Sequence, residues 1–256
     1  MKSNTNKQKI TIGLFRCGYQ ILVTAFLLLI LTSCASTTPE GDVADPIEPV
    51  NRAVFEFNDT VDKYIAKPIA QTYQYTPSPI RTGISNFFNN LDDVMTVIND
   101  ILQFKIQQGV ADSARIVFNS SFGLLGLVDI ASDWDLPRHN ERFADTLGYW
   151  GLNSGPYLVI PIWGPSSLRD APALIFDLYT YPLAYLYPVA HRNSLQGLKM
   201  VNTRASLLAT TDLTEELALD PYAFTRNAYY QWRQNQVYDG NPPEQYQQDF
   251  DPDELE

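Results

Sequence analysis

The chain has 256 residues, with 18 basic and 29 acidic side chains, a formal net charge of −11, two cysteines and two histidines. So acidic a chain is a poor nucleic-acid binder, because phosphate contacts need Lys and Arg. His139 and His191 lack ligand spacing, and no HExxH, P-loop, GxGxxG or GxSxG motif occurs. The chain therefore reads as a non-enzyme with no metal and no cofactor.

In chain order, residues 1–33 read as a secretory signal. Lys2, Lys7, Lys9 and Arg16 precede the apolar run from Ile21 to Leu31, and small residues follow it. The run is shorter than the ~20 residues of a spanning helix. Leu31-Thr32-Ser33-Cys34 resembles the lipobox of bacterial lipoproteins, which implies lipidation at Cys34. Removal of residues 1–33 leaves 14 basic against 29 acidic residues, a net of −15. No polybasic patch then holds the chain to anionic lipid, so attachment falls to the acyl chains. Ala35 in place of Asp resembles an outer-membrane address under enterobacterial-type sorting.

Residues 34–49 read as a lipidated flexible tether and residues 50–238 as a helical domain. Val50, Val54, Phe57, Val61 and Tyr64 recur at helical spacing, and Pro68 is expected to end or kink that helix. Pro79 suits the first turn of a second helical stretch running to Leu102, and a third spans about 106–118. The uncharged run 116–128 and the Tyr- and Pro-rich run 171–190 suit either buried core helices or interfacial helices in one leaflet, and the lipid anchor favours the latter. Tyr157 to Ile162 is β-branched enough for a strand, in a Gly- and Pro-punctuated stretch that favours a hairpin or irregular loop. Ser194 is expected to cap a helix, Asp212 with Glu215 to form a capping box, and Asp220-Pro221 to start a last helix. Residues 239–256 carry seven acidic and no basic side chains and read as a disordered tail.

Several stretches together resemble the VacJ/MlaA family of outer-membrane lipoproteins. They are Asp45–Asn58 (DPIEPVNRAVFEFN), Arg81–Phe88 (RTGISNFF), Phe118–Asp129 (FNSSFGLLGLVD), Thr146–Gly151 (TLGYWG), Gly155–Pro161 (GPYLVIP) and Gly164–Asp170 (GPSSLRD). The resemblance implies an all-α, ring-shaped assembly in the inner leaflet of the outer membrane with a central amphipathic channel. It implies phospholipids as cargo, a trimeric porin as neighbour and a soluble periplasmic carrier as recipient. The family's glycine-rich gating hairpin maps to Gly148, Gly151, Asn153, Gly155 and Pro156. Asn153 stands where family hairpins often carry glycine, and Asn tolerates positive φ. Arg169 and Asp170 are either a local ion pair or headgroup contacts. The leading expectation is a lipid-transfer channel that maintains outer-membrane lipid asymmetry. The alternatives are a structural or porin-associated lipoprotein and a membrane-anchored lipid hydrolase.

Overall fold

Helices form where the apolar periods place them, but many of the apolar positions face outward. The computed structural model describes residues 45–243; the signal, Cys34 and the tail from 244 onward lie outside the described residues. Helix α1 (Glu48–Val61) runs through a π-helical turn (Asp62–Ala66) into α2 (Lys67–Tyr73). Pro68 therefore does not end the helix. The Lys67 amide reaches back to the Asp62 carbonyl, and this wider turn accommodates a residue with no N–H to donate.

Helix α3 (Ser78–Leu102) begins with Pro79 in its first turn, as expected, and α4 (Ile106–Ser121) packs back along it. The uncharged run 116–128 is only partly helical. After Ser121 the chain turns through positive φ at Leu124, Leu125 and Gly126, and the Gly126 amide bonds the Asn119 carbonyl at 2.8 Å. A Cβ on Gly126 would lie 2.8 Å from the Asn90 side chain, so only glycine fits that approach. Helix α5 (Ile130–Asp133) follows, capped by the Asp129 carboxylate, and then α6 (Phe143–Tyr149).

Strands β1 (Tyr157–Ile160) and β2 (Gly164–Ser167) form one antiparallel hairpin. It turns at 161–163, so the glycine-rich segment 148–156 precedes the hairpin rather than forming it. The run 171–190 divides into helix α7 (Asp170–Thr180) and a 3-10 turn (Pro182–Tyr185). Helix α8 (Val189–Ser206) starts after Pro188, so Ser194 is internal and not a cap. Helix α9 (Leu208–Leu217) likewise contains Asp212, whose carboxylate pairs with Lys67 at 2.9 Å instead of capping. Helix α10 (Pro221–Val237) is capped as expected, the Asp220 carboxylate accepting from the Tyr222 and Ala223 amides.

The folded body also starts earlier than the expected tether allows. Asp45 accepts hydrogen bonds from Asn51 and from the Tyr222 hydroxyl. At the other end Lys105 holds Asp239, the first residue of the expected tail.

The small hairpin is completed by side chains. Asn51 on α1 donates to the Tyr157 carbonyl at 3.0 Å and accepts from the Val159 amide at 2.9 Å. Seven residues on, Asn58 repeats the pattern with the Ile160 carbonyl and the Ile162 amide. Two asparagines on one helix face thus act as a third strand for β1, satisfying backbone groups that a two-stranded sheet leaves unpaired. Behind them Tyr157, Val159, Tyr222 and Tyr229 form the apolar cluster that joins the hairpin to α10.

Elsewhere the usual polarity is reversed. Among the described residues, nineteen buried polar or charged side chains stand against thirteen buried apolar ones, while Val50, Tyr64, Phe104, Phe122, Leu124, Leu125, Tyr179 and Tyr187 are exposed. A water-soluble domain buries apolar groups first.

Asn51→Ala removes both bonds of a buried amide and leaves two strand groups unpaired. It is expected to lower unfolding stability by about 3 kcal/mol. Chemical denaturation checks this, and Asn58→Ala, at a more exposed end, should cost less.

Candidate functional site

The glycine-rich segment is held from three sides. The Arg169 guanidinium donates Nη1 to the Leu152 carbonyl at 3.1 Å, and the Arg169 amide donates to the Ser154 carbonyl. The Tyr230 hydroxyl donates to the Gly155 carbonyl at 2.8 Å. Positive φ occurs at Gly151 and Gly155 and not at Asn153, so the asparagine is accommodated without a left-handed residue. Gly148 is required for space instead. A Cβ there would meet Val237 at 2.5 Å and Arg169 Nη1 at 2.9 Å.

Behind this segment lies a buried chain of charges. Arg233 on α10 donates to Asp145 on α6 at 2.7 Å and to Asp170 at the start of α7 at 2.9 Å. Asp170 also accepts from Arg169 Nε at 2.6 Å and from the Tyr229 hydroxyl. Burial alone would raise the Asp170 carboxyl, but the fields of Arg233 and Arg169, with bonds from Arg169 and Tyr229, hold it below the usual range. Asp145 goes the other way, because burial outweighs the field of Arg233. Arg169 and Asp170, expected either as a local ion pair or as headgroup contacts, do pair with one another and are enclosed. They are 6% and 4% exposed, and their bonds go to protein groups. Their place is structural, linking α7 and α10 to the glycine-rich segment.

A second polar seam runs between α3 and α4. Arg115, 1% exposed, meets both Asp129 oxygens through Nη2 at 3.0 and 3.1 Å and lies 3.6 Å from Asp93. Asp112 accepts from or donates to His139 Nδ1 at 2.8 Å, as the tautomer dictates. Its other oxygen and both oxygens of Asp100 are buried with no conventional donor. The Asp112 carboxyl is a like-charged neighbour of Asp100 and favours its neutral form. Burial chiefly, then the Asp112 and Glu141 charges, push the Asp100 carboxyl up to about 7.

Gln103 closes this end of the seam. Its amide donates to Glu141 at 2.8 Å and to the Thr146 hydroxyl at 3.1 Å, and Thr146 donates to Asn99 at 2.8 Å. Among the described residues no group of three His, Cys, Asp or Glu side chains could hold a metal. These interactions order a polar interior and assemble no nucleophile with a base.

The family model described as MlaA lipoprotein matches residues 43–236. The chain belongs to the MlaA lipoprotein family. It is 35% identical over 210 residues to the intermembrane phospholipid transport system lipoprotein MlaA of Escherichia coli (strain K12), covering 79% of this chain and 82% of that protein. The protein of the same description from Haemophilus influenzae is 33% identical over 228 residues, covering 86% and 91%. A solved structure described as the structural basis for maintenance of bacterial outer membrane lipid asymmetry superposes with a TM-score of 0.67 at 33% identity. It covers 77% of this chain and the whole of that one.

Within this MlaA-family chain, sequence reasoning missed Arg233 and Asp145. The signal was present in α10, where Tyr222, Arg226, Tyr229 and Arg233 are the buried positions and follow a helical period. Of the helix's aromatic residues, Tyr222 and Tyr229 lie on that buried face, whereas Phe224 and Trp232 are exposed.

Two outcomes are expected. Arg233→Met strands two buried carboxylates and should destabilise the fold by about 3–5 kcal/mol, as calorimetry or denaturation reads it. For Asp100, the folded pKa lies above the unfolded value of 3.8. Its stabilising contribution is therefore complete below about pH 4 and is lost as pH rises through about 7. Asp100→Asn should flatten that part of the stability–pH profile, and an unchanged profile would contradict the raised Asp100 carboxyl.

Proposed function

We propose that the chain is a non-enzymatic lipid-transfer lipoprotein of the outer membrane. In this reading Cys34 carries the acyl anchor, and the body sits in the periplasm-facing leaflet. Phospholipids that have strayed into the outer leaflet enter an amphipathic channel and pass to a soluble periplasmic carrier. A trimeric porin is the neighbour against which the ring is seated. The relatives' description as phospholipid transport lipoproteins supports this role, as does the solved relative's concern with outer-membrane lipid asymmetry.

The observation that carries the reading is the reversed polarity. Apolar and aromatic side chains from α1, the turn after α4, α7 and the 3-10 turn lie on the outside, while polar groups fill the inside. In a leaflet the outward side chains meet hydrocarbon. The tyrosines Tyr179, Tyr185 and Tyr187 suit the boundary, where a ring is half buried and its hydroxyl stays wet. Among the described residues no helix is long and apolar enough to cross a membrane, so the reading needs only one leaflet.

Moving a phospholipid between leaflets takes a charged headgroup past hydrocarbon, where an unpaired charge costs several kcal/mol. A polar wall for the headgroup with an apolar opening for the tails lowers that barrier without covalent chemistry. Gly151 and Gly155 are the pivots of the proposed gate, since both hold positive φ and Gly151 has open space around it.

Deletion of the gene is expected to raise surface-exposed phospholipid and detergent sensitivity, with restoration by the wild type. Cys34→Ala is expected to leave an unlipidated precursor that fails to restore asymmetry. Normal lipid asymmetry in the deletion strain would overturn the transfer role.

A further inference from the structure

The transfer reading needs a place for the headgroup, and the enclosed Arg169–Asp170 pair cannot supply it. A different set of charges gathers where α7, α8, α3 and the stretch before α6 meet. The Asp177 carboxylate, in the last turns of α7, accepts the Phe143 amide at 3.2 Å, which brings Arg142 beside it. One turn further, the Tyr181 hydroxyl accepts from Lys199 Nζ at 2.9 Å, and the ammonium lies 4.2 Å from the centre of the Tyr181 ring. Lys199 also pairs with Asp92 on α3. The next residue, Asp93, accepts from Arg138 Nε at 2.7 Å. Arg138 stands four residues before Arg142 in the chain.

The pairing inside this set is uneven. Lys199 has Asp92, and Arg138 has Asp93. Arg142 is exposed, makes no ion pair within 4 Å among the described residues, and rests its guanidinium 6.0 Å from the Trp232 ring centre. Asp177 uses one oxygen for the Phe143 amide, and its other oxygen takes no hydrogen bond among the described residues. One cation and one carboxylate thus remain without an ion pair among the described residues, beside one another at the end of α7. The cations sense one another: burial depresses the Lys199 ammonium, Asp92 opposes this, and Arg142 and Arg138 depress it further. Burial likewise pushes Asp177 up to about 6, against the Phe143 amide and Arg142.

We propose that this space is the headgroup subsite of the transfer path. Arg142 binds the phosphodiester oxygens with Lys199 and Arg138 beside it, and Asp177 faces the ammonium of a zwitterionic headgroup such as phosphoethanolamine. The proposal rests on the lipid-transfer reading. A guanidinium presents a planar fork of donors to a phosphate, whereas an ammonium presents a point charge. That assigns the primary contact to Arg142 and a field role to Lys199. With both signs of charge in the cluster, Arg142 and Asp177 can address the phosphate and the ammonium of a zwitterion, which a site built from cations alone would not.

The test uses the full-length lipidated protein in detergent. It is incubated with vesicles of phosphatidylethanolamine or phosphatidylglycerol, and bound lipid is counted by mass spectrometry. Melting curves establish that each variant is folded. Arg142→Gln should lower bound phospholipid of both kinds about tenfold, and Arg142→Lys should retain more of it. Asp177→Asn should keep phosphatidylglycerol and lose the preference for phosphatidylethanolamine. A folded Arg142→Gln protein that binds as much lipid as the wild type overturns the subsite and leaves the transfer reading standing. Wild-type protein that takes up neither lipid overturns both. Inorganic phosphate that raises the melting temperature through Arg142, with no lipid bound there, marks a free-phosphate site and overturns the headgroup assignment.

Discussion

A single guanidinium organises the region on which the proposed gate depends. Arg233 comes from the last helix and lies between two carboxylates, Asp145 on α6 and Asp170 on α7. Asp170 orients Arg169, and Arg169 in turn holds the Leu152 carbonyl of the glycine-rich segment. A charge this enclosed has to be matched by other charges, because water cannot solvate it. The C-terminal helix therefore fixes where the glycine-rich segment runs, although the two are far apart in sequence. Gly148 lets the helices close to that distance, and Gly151 and Gly155 let the chain reverse beyond it.

The same logic extends through the interior. Arg115 with Asp93 and Asp129, Asp100 with Asp112, and Gln103 with Glu141 and Thr146 are polar contacts where a soluble domain would place leucines. Polar packing is directional, so each contact specifies a geometry as well as a distance. The apolar residues that would otherwise fill a core are displaced to the outside. In water such a surface would promote association; in a leaflet it is the favourable arrangement. In the proposed reading the acyl anchor tethers the body and the reversed polarity seats it.

Helical periodicity revealed the existence of most elements but not the direction they face. Val50 and Phe57 mark α1 correctly and Tyr64 the π-turn that continues it, yet the buried position of α1 is Asn51, because polar atoms on that face complete the β1 strand. Pro68 misled because one π-turn realigns the backbone before it. Ser194 and Asp212 misled because cap residues also occur within helices and only the preceding backbone distinguishes the two. The glycine-rich segment was legible in composition, while its clamp was not. Arg169–Asp170 stood out as a charged pair in an apolar stretch, but its partner Arg233 is over sixty residues away, and no local pattern connects them.

The central claim is that the outward apolar surface meets hydrocarbon while the polar inner wall remains wet. Spin labels at Leu125, Ile175 and Arg142, read in bilayers with oxygen and with a water-soluble nickel relaxer, test this most directly. The account predicts strong oxygen and weak nickel relaxation at Leu125 and Ile175, with the reverse at Arg142. Equal nickel access at all three positions would contradict it.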